Sequence, residues 1–280
     1  MNKSPSKADR ILTVLLALLC IVFFIPLLLV LINSFKSKFN IISEPFTFPN
    51  HETFVGFENY VKGIATSDFF GALGRSLFIT VGSVLLIVLG TAMTAWYITR
   101  IRNVWTKLLY TLFIFSMIVP FQMVMYTMVF TADRLQLNNP LGALVLYLGF
   151  GAGLSVFIFS GFVKSIPSEL EEAATIDGCK PPQLFFHVVF PVMRPTAVTV
   201  AVLNAMWIWN DYLLPYLVLG TEKYKTLPVT IQITMQGAYG SVDWGGFMAM
   251  LVLAIIPIVI FYLSCQKYII KGVIAGAVKG

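Results

Sequence analysis

Two groups of acidic residues stand out as able to do chemistry. Glu169, Glu171, Glu172 and Asp177 crowd into one short segment of a chain that has only 13 acidic residues among 280. Asp211 lies alone in an apolar run, beside Asn210 and Trp209. Clustered carboxylates suit docking against a basic partner surface. A lone carboxylate in an apolar helix is costly and marks function by default, as a proton carrier or as a polar tie between helices. The tie, a packing or gate-stabilising role for Asn210 and Asp211, is favoured over direct solute contact, because one acid makes no multi-hydroxyl pocket. Trp207 and Trp209 could stack on a ligand ring, although an interfacial aromatic belt is the commoner cause of such tryptophans. Other chemistry finds no support. His51 and His187 lie outside the apolar segments, and no Ser–His or paired-acid arrangement can be assembled. No Gly-x-x-x-x-Gly-Lys phosphate loop occurs. Cys20, Cys179 and Cys265 imply neither a disulfide framework nor a metal site. The chain reads as a non-enzyme.

The elements that position these residues follow from composition. The chain is 58% hydrophobic and 11% charged, with mean hydropathy +0.85. Soluble domains carry about 25% charged residues, so the bilayer must take up the apolar surface. The net charge of +6 is spread singly between apolar blocks, without the run or stripe that nucleic acid needs. The expected fold is an all-α membrane protein, a single transmembrane domain over residues 1–280. A crossing helix needs about 20 apolar residues. Windows of that kind occur at about 11–32, 76–99, 108–132, 141–163, 196–219 and 245–266, which makes six spans. The first is too long for a signal-peptide core and lacks a small-residue cleavage site, so it reads as a retained helix. The stretch Thr226 to Val242 is charge-free but too polar for lipid, and is expected to be extramembrane or re-entrant.

Basic residues set the orientation. Lys3, Lys7, Arg10, Arg100, Arg102, Lys107, Lys164, Lys180, Arg194, Lys267, Lys271 and Lys279 share one side. The other holds Lys36, Lys38, Lys62, Arg75, Arg134, Lys223 and Lys225. Twelve against seven places both termini in the cytoplasm. The first outer loop mixes charge and aromatics and is expected to form short helices.

The acidic cluster then falls in a cytoplasmic loop, 164–194, between the fourth and fifth spans. Ser168 and Glu171 have capping-box spacing, and acids in a first turn suit the helix dipole. Ala173 and Ala174 propagate a helix and Gly178 stops it. Pro181 and Pro182 open a second short helix, with Leu184, Phe185, Val188 and Val189 as its apolar positions and Pro191 as its end. Two short helices lying across the membrane face could merely cap the bundle. Insertion of a helix into a partner groove is narrowly favoured, given the local negative charge.

Glu172-Ala173-Ala174-Thr175-Ile176-Asp177-Gly178, followed by Phe185, Val188, Phe190 and Pro191, resembles the EAA loop of ABC importer permeases. The departures from that pattern (Cys179 for Ala, Val188 for Ile, Phe190 for Leu) are conservative. Trp209-Asn210-Asp211-Tyr212-Leu213-Leu214-Pro215 is similar to a segment of carbohydrate importer permeases. The tail Ala275 to Gly280 resembles that of the maltose-type second permease subunit.

The resemblance implies one half of a heterodimeric pore in a bacterial-type cytoplasmic membrane. The partners are a second homologous permease subunit, two copies of a cytoplasmic ABC ATPase that hold the ATP and Mg, and an extracytoplasmic sugar-binding protein. This chain itself would hold no cofactor. Glu172, Ala173, Ala174, Asp177, Gly178, Phe185 and Pro191 would carry coupling to the ATPase. Tyr224, Tyr239 and Trp244, in the turn-rich last outer loop, would meet the binding protein. The alternatives are a related permease for a non-sugar solute, or a proton-coupled secondary transporter using Asp211.

Overall fold

A backbone in hydrocarbon must satisfy its own N–H and C=O groups, and a helix does so within one segment. The computed structural model describes residues 6–236 and 242–277. These fold as helices with one isolated antiparallel bridge, Lys36 to Phe54. Contacts divide the chain into two compact units, one formed by residues up to 69 with 230–256, the other by 70–229 with the residues from 257 on.

In the first unit, α1 (Lys7–Asn33) opens with a capping box in which the Ser6 hydroxyl accepts from the Asp9 N–H and the Asp9 carboxylate accepts from the Ser6 N–H. Its apolar side chains are exposed on every side, as befits a helix clothed in lipid. The following loop forms α2 (Lys38–Ser43) and α3 (Glu58–Thr66), the short helices its composition suggests. Phe35, Phe54, Phe57 and Tyr60 cluster there. Lys36 is wholly buried and donates to the Glu44 carbonyl (2.8 Å) and Thr47 Oγ1 (3.2 Å). Burial pulls its ammonium below the ordinary lysine range, with the Glu44 charge opposing. The first turns of α14 (Trp244–Ala277) meet α3 through small residues, Gly245 against Asn59 and Gly63 against Met250.

In the second unit, α4 (Phe69–Arg100), α7 (Pro140–Val163) and α11 (Arg194–Asn210) share a core that includes Ile87, Ala92, Tyr147, Val156, Phe159, Val200 and Ile208. α5 (Val104–Ile118) lies against α7, where a side chain on Gly153 would strike the Phe113 carbonyl and Ser116. Asn204 of α11 donates to Ser155 Oγ of α7 at 3.1 Å, a buried polar link of the kind that joins helices in membranes.

The structure adds detail to three of these segments. The third window, 108–132, is not one straight helix: α5 and α6 (Phe121–Arg134) meet at 108°. Pro120 has no N–H and holds Val119 extended, which ends α5. The fifth window breaks at Asp211, so that α12 (Leu213–Val218) is separate from α11. The described residues thus contain four helices long and apolar enough to cross a membrane, or six if each bent pair forms one span. Finally, part of the last loop is helical: α13 (Leu227–Gln236) occupies it, with Pro228 in its first turn.

Candidate functional site

The loop after α7 begins with α8 (Ser168–Ile176). Pro167, not Ser168, is its N-cap, and no side chain caps it. The capping box suggested by Ser168 and Glu171 is therefore not made. Glu171 reaches instead to α4, where Arg100 donates from Nε (2.8 Å) and pairs through Nη2 (2.7 Å) with Oε1, and the Trp96 indole N–H donates to Oε2 (3.0 Å). Arg100 Nη2 also donates to the Ile166 carbonyl at 2.9 Å. A two-pronged, charge-assisted pair with side chains only 25% and 12% exposed outweighs a surface cap. The sequence offered no sign of it, because Arg100 and Glu171 are 71 positions apart.

The other end of α8 closes on Gly178, whose φ of +84° suits glycine. Its N–H donates to the Thr175 carbonyl and that of Cys179 to the Ala174 carbonyl, a Schellman closure. Ala174 and Cys179 both pack on the core, which turns the rest of α8 outward. Glu172, Ala173, Asp177 and Gly178 are exposed, and with them Leu170 and Ile176, the latter 86% exposed. Three helical residues at i, i+3 and i+6 (Leu170, Ala173, Ile176) thus present an apolar ridge flanked by carboxylates. Leu170, outside the motif, and Ile176, within it, both belong with the candidate site. Their three-residue spacing around Ala173 was the available signal.

Beyond Gly178, α9 (Pro181–Gln183), a π-helical turn (Leu184–Val189) and α10 (Phe190–Val192) run on as one rod. Pro191 does not end it. The proline lies within the rod, one residue before its last helical residue, and the 79° bend to α11 follows at Met193. Phe185 is buried between Trp96 (5.6 Å between ring centroids) and Phe190 (5.6 Å). Phe185 and Glu171 therefore grip the same tryptophan from the two halves of the loop.

Asp211 lies where α11 stops. Its Oδ2 accepts from the Tyr147 hydroxyl of α7 at 3.0 Å, and its Oδ1 accepts from the N–H groups of Leu213 (2.9 Å) and Leu214 (3.4 Å). The carboxylate caps α12 and ties the break to a fully buried tyrosine. Tyr147 also meets Trp207 edge to face at 5.5 Å. Asn210 turns back to the Met206 carbonyl, and Trp209 is buried. The geometry is that of a polar tie between helices.

The outer candidates are not brought together by any described contact. Tyr224 is half-buried beneath the Lys223 ammonium, 5.0 Å from its ring, and Trp244 packs edge to face on Phe247. Tyr239 lies outside the described residues.

This arrangement of helices is found in a solved structure. The chain superposes on a bacterial ABC transporter involved in import of the acidic polysaccharide alginate, with TM-score 0.78 over 95% of this chain and 99% of that one, at 21% identity. The two chains thus share one fold. The chain belongs to the family of binding-protein-dependent transport system inner membrane components, whose model matches residues 86–275. It is accordingly a multi-pass permease of the inner membrane and not an enzyme. Among its relatives, the probable starch degradation products transport system permease protein AmyC of Thermoanaerobacterium thermosulfurigenes is 37% identical, over 96% of each chain. The multiple sugar-binding transport system permease protein MsmG of Streptococcus mutans is 36% identical over 95% of each. The melibiose/raffinose/stachyose import permease protein MelC of Bacillus subtilis is 31% identical over the full length of both.

Proposed function

We propose that this chain forms half of the pore of an importer for a sugar or oligosaccharide. It pairs with a second homologous permease, takes substrate from an extracytoplasmic binding protein, and is driven by two copies of a cytoplasmic ATPase that bind ATP and Mg. Both termini and the loop 164–194 face the cytoplasm, where the excess of basic residues lies. The observation that carries the reading is the outward face of α8, an apolar ridge flanked by Glu172 and Asp177 on a helix latched to α4. A latched helix passes on displacement that a loose loop would absorb, so closure of the ATPases would be felt directly in α4. The sugar class rests on the relatives' names and on the Trp209-to-Pro215 segment.

Purification through a tag on this chain in mild detergent, with subunit composition read by native mass, tests the assembly. A complex of this chain with one second permease and two ATPase copies is expected. Recovery as a lone chain or homodimer, under conditions that preserve other membrane complexes, overturns the reading. Glu172→Lys reverses an exposed charge and is expected to leave insertion intact while abolishing ATP-driven uptake. Normal uptake in that variant removes α8 as the coupling element.

A further inference from the structure

At the shared end of α4, α5 and α7 lies a cleft of about 600 Å³ that the transport reading does not use. It is lined by Arg102, Lys107 and Lys164, and no carboxylate lines it. None of the three cations has an ion-pair partner among the described residues. Lys164 lies over the Tyr110 ring, 5.5 Å from its centroid. The first turn of α5, closed by the reciprocal Asn103–Thr106 capping box, also lines the cleft and adds the positive end of a helix dipole.

Two hydroxyls in the lining point to a ligand. Ser160 is 1% exposed, and its Oγ has no hydrogen-bond partner among the described residues. A serine inside a helix ordinarily bonds back to the carbonyl four residues earlier. Ser155, five residues earlier in α7, does so to Gly151 at 2.7 Å. Ser160 does not, and neither does Thr99, whose buried Oγ1 is likewise unpartnered. Buried polar groups are seldom left unsatisfied. Both residues line the cationic cleft.

We propose that this cleft holds the phosphate of an anionic phospholipid headgroup. Arg102, Lys107 and Lys164 supply the charge, and the Ser160 and Thr99 hydroxyls donate to phosphate oxygens. A lipid is the source, not a free phosphate, because the lining continues into apolar surface. Ile98, Val104 and Tyr110 share the cleft, and along α5 Val104 (80% exposed) and Trp105 (73% exposed) lead to the exposed Leu108, Leu109 and Leu112. That strip offers acyl chains a path away from the charged end, and basic pockets between helix ends suit anionic headgroups. The leaflet, but not the site, rests on the orientation proposed above.

Native mass spectrometry of the assembly, reconstituted in vesicles of phosphatidylglycerol and phosphatidylethanolamine and released gently, reads the occupancy directly. Retained phosphatidylglycerol is expected on this chain. In the Arg102→Gln/Lys107→Gln/Lys164→Gln variant it should be about tenfold lower, since each basic residue near an anionic surface contributes measurably to binding. Ser160→Ala, which leaves every charge in place, should lower it by a smaller factor. Equal retention in all three proteins overturns the proposal, as does equal retention of phosphatidylethanolamine. Displacement by excess inorganic phosphate overturns the lipid assignment in favour of a soluble anion. Subunit masses appear in the same spectrum. Lipid lost by wild type from an intact assembly therefore counts against this site alone, and missing ATPase counts against the earlier reading alone.

Discussion

Two carboxylates in this molecule tie one helix to another, and they do so in opposite ways. Asp211 turns inward: it caps α12 and accepts from Tyr147, so that a break inside the apolar bundle is sealed by polar groups of the same bundle. Glu171 belongs to a helix on the surface and reaches back to Arg100 and Trp96 of α4, and this frees the opposite face of α8. The first arrangement fixes a shape. The second fixes one side of a helix and offers the other. Adjacent residues show the contrast most sharply, for Glu171 is held by two donor side chains while Glu172 is exposed.

Arg100→Ala breaks the latch and should have the largest effect. It strands a mostly buried Glu171 carboxylate at a cost of about 3 kcal/mol. Co-purification of the ATPase and uptake should both fall by tenfold or more, while Asp211 and its contacts are untouched. Retention of the ATPase at wild-type levels would mean that Trp96 and packing hold α8 without the arginine. Tyr147→Phe weakens the other tie by one hydrogen bond to a charged group, about 1.5–3 kcal/mol. Thermal stability in detergent should drop while ATPase association persists, and a loss of association would show that the two regions are coupled. Gly178→Ala meets no steric obstacle, so its cost is that of the left-handed backbone alone, about 1–2 kcal/mol. Slower uptake with normal insertion is the expected outcome. Ser168→Ala should change stability by less than about 0.5 kcal/mol, because the hydroxyl caps nothing. A larger change would restore the capping box that the structure lacks.

What was legible in the sequence was local. Charge-free windows marked where the apolar helices lie, and Gly178 announced the end of α8, because a stop at glycine depends on one residue's backbone. A turn at Pro120 follows from the proline's missing N–H, but its 108° angle does not, because neighbouring helices must set it. The Arg100 latch and the choice of Tyr147 to meet Asp211 were invisible for a different reason. Their partners are 71 and 64 positions apart, and nothing in the type of Arg100 or Tyr147 names the acid it will meet. Glu171 misled in particular, since its spacing from Ser168 satisfies a local rule that a stronger distant partner overrides. The outward apolar ridge of α8 lay between these cases. Its spacing could be read, but its exposure followed only once Ala174 and Cys179 were seen to face the core.

The latch also makes the protein its own optical sensor. Trp96 donates its indole N–H to a carboxylate and lies against the ring of Phe185, so both the polarity and the quenching around it depend on the loop being seated. The chain has five tryptophans, at 96, 105, 207, 209 and 244, and a version that keeps only Trp96 would emit from the hinge between loop and membrane. The colour and lifetime of that emission would follow the loop through each cycle of the transporter, with no label attached.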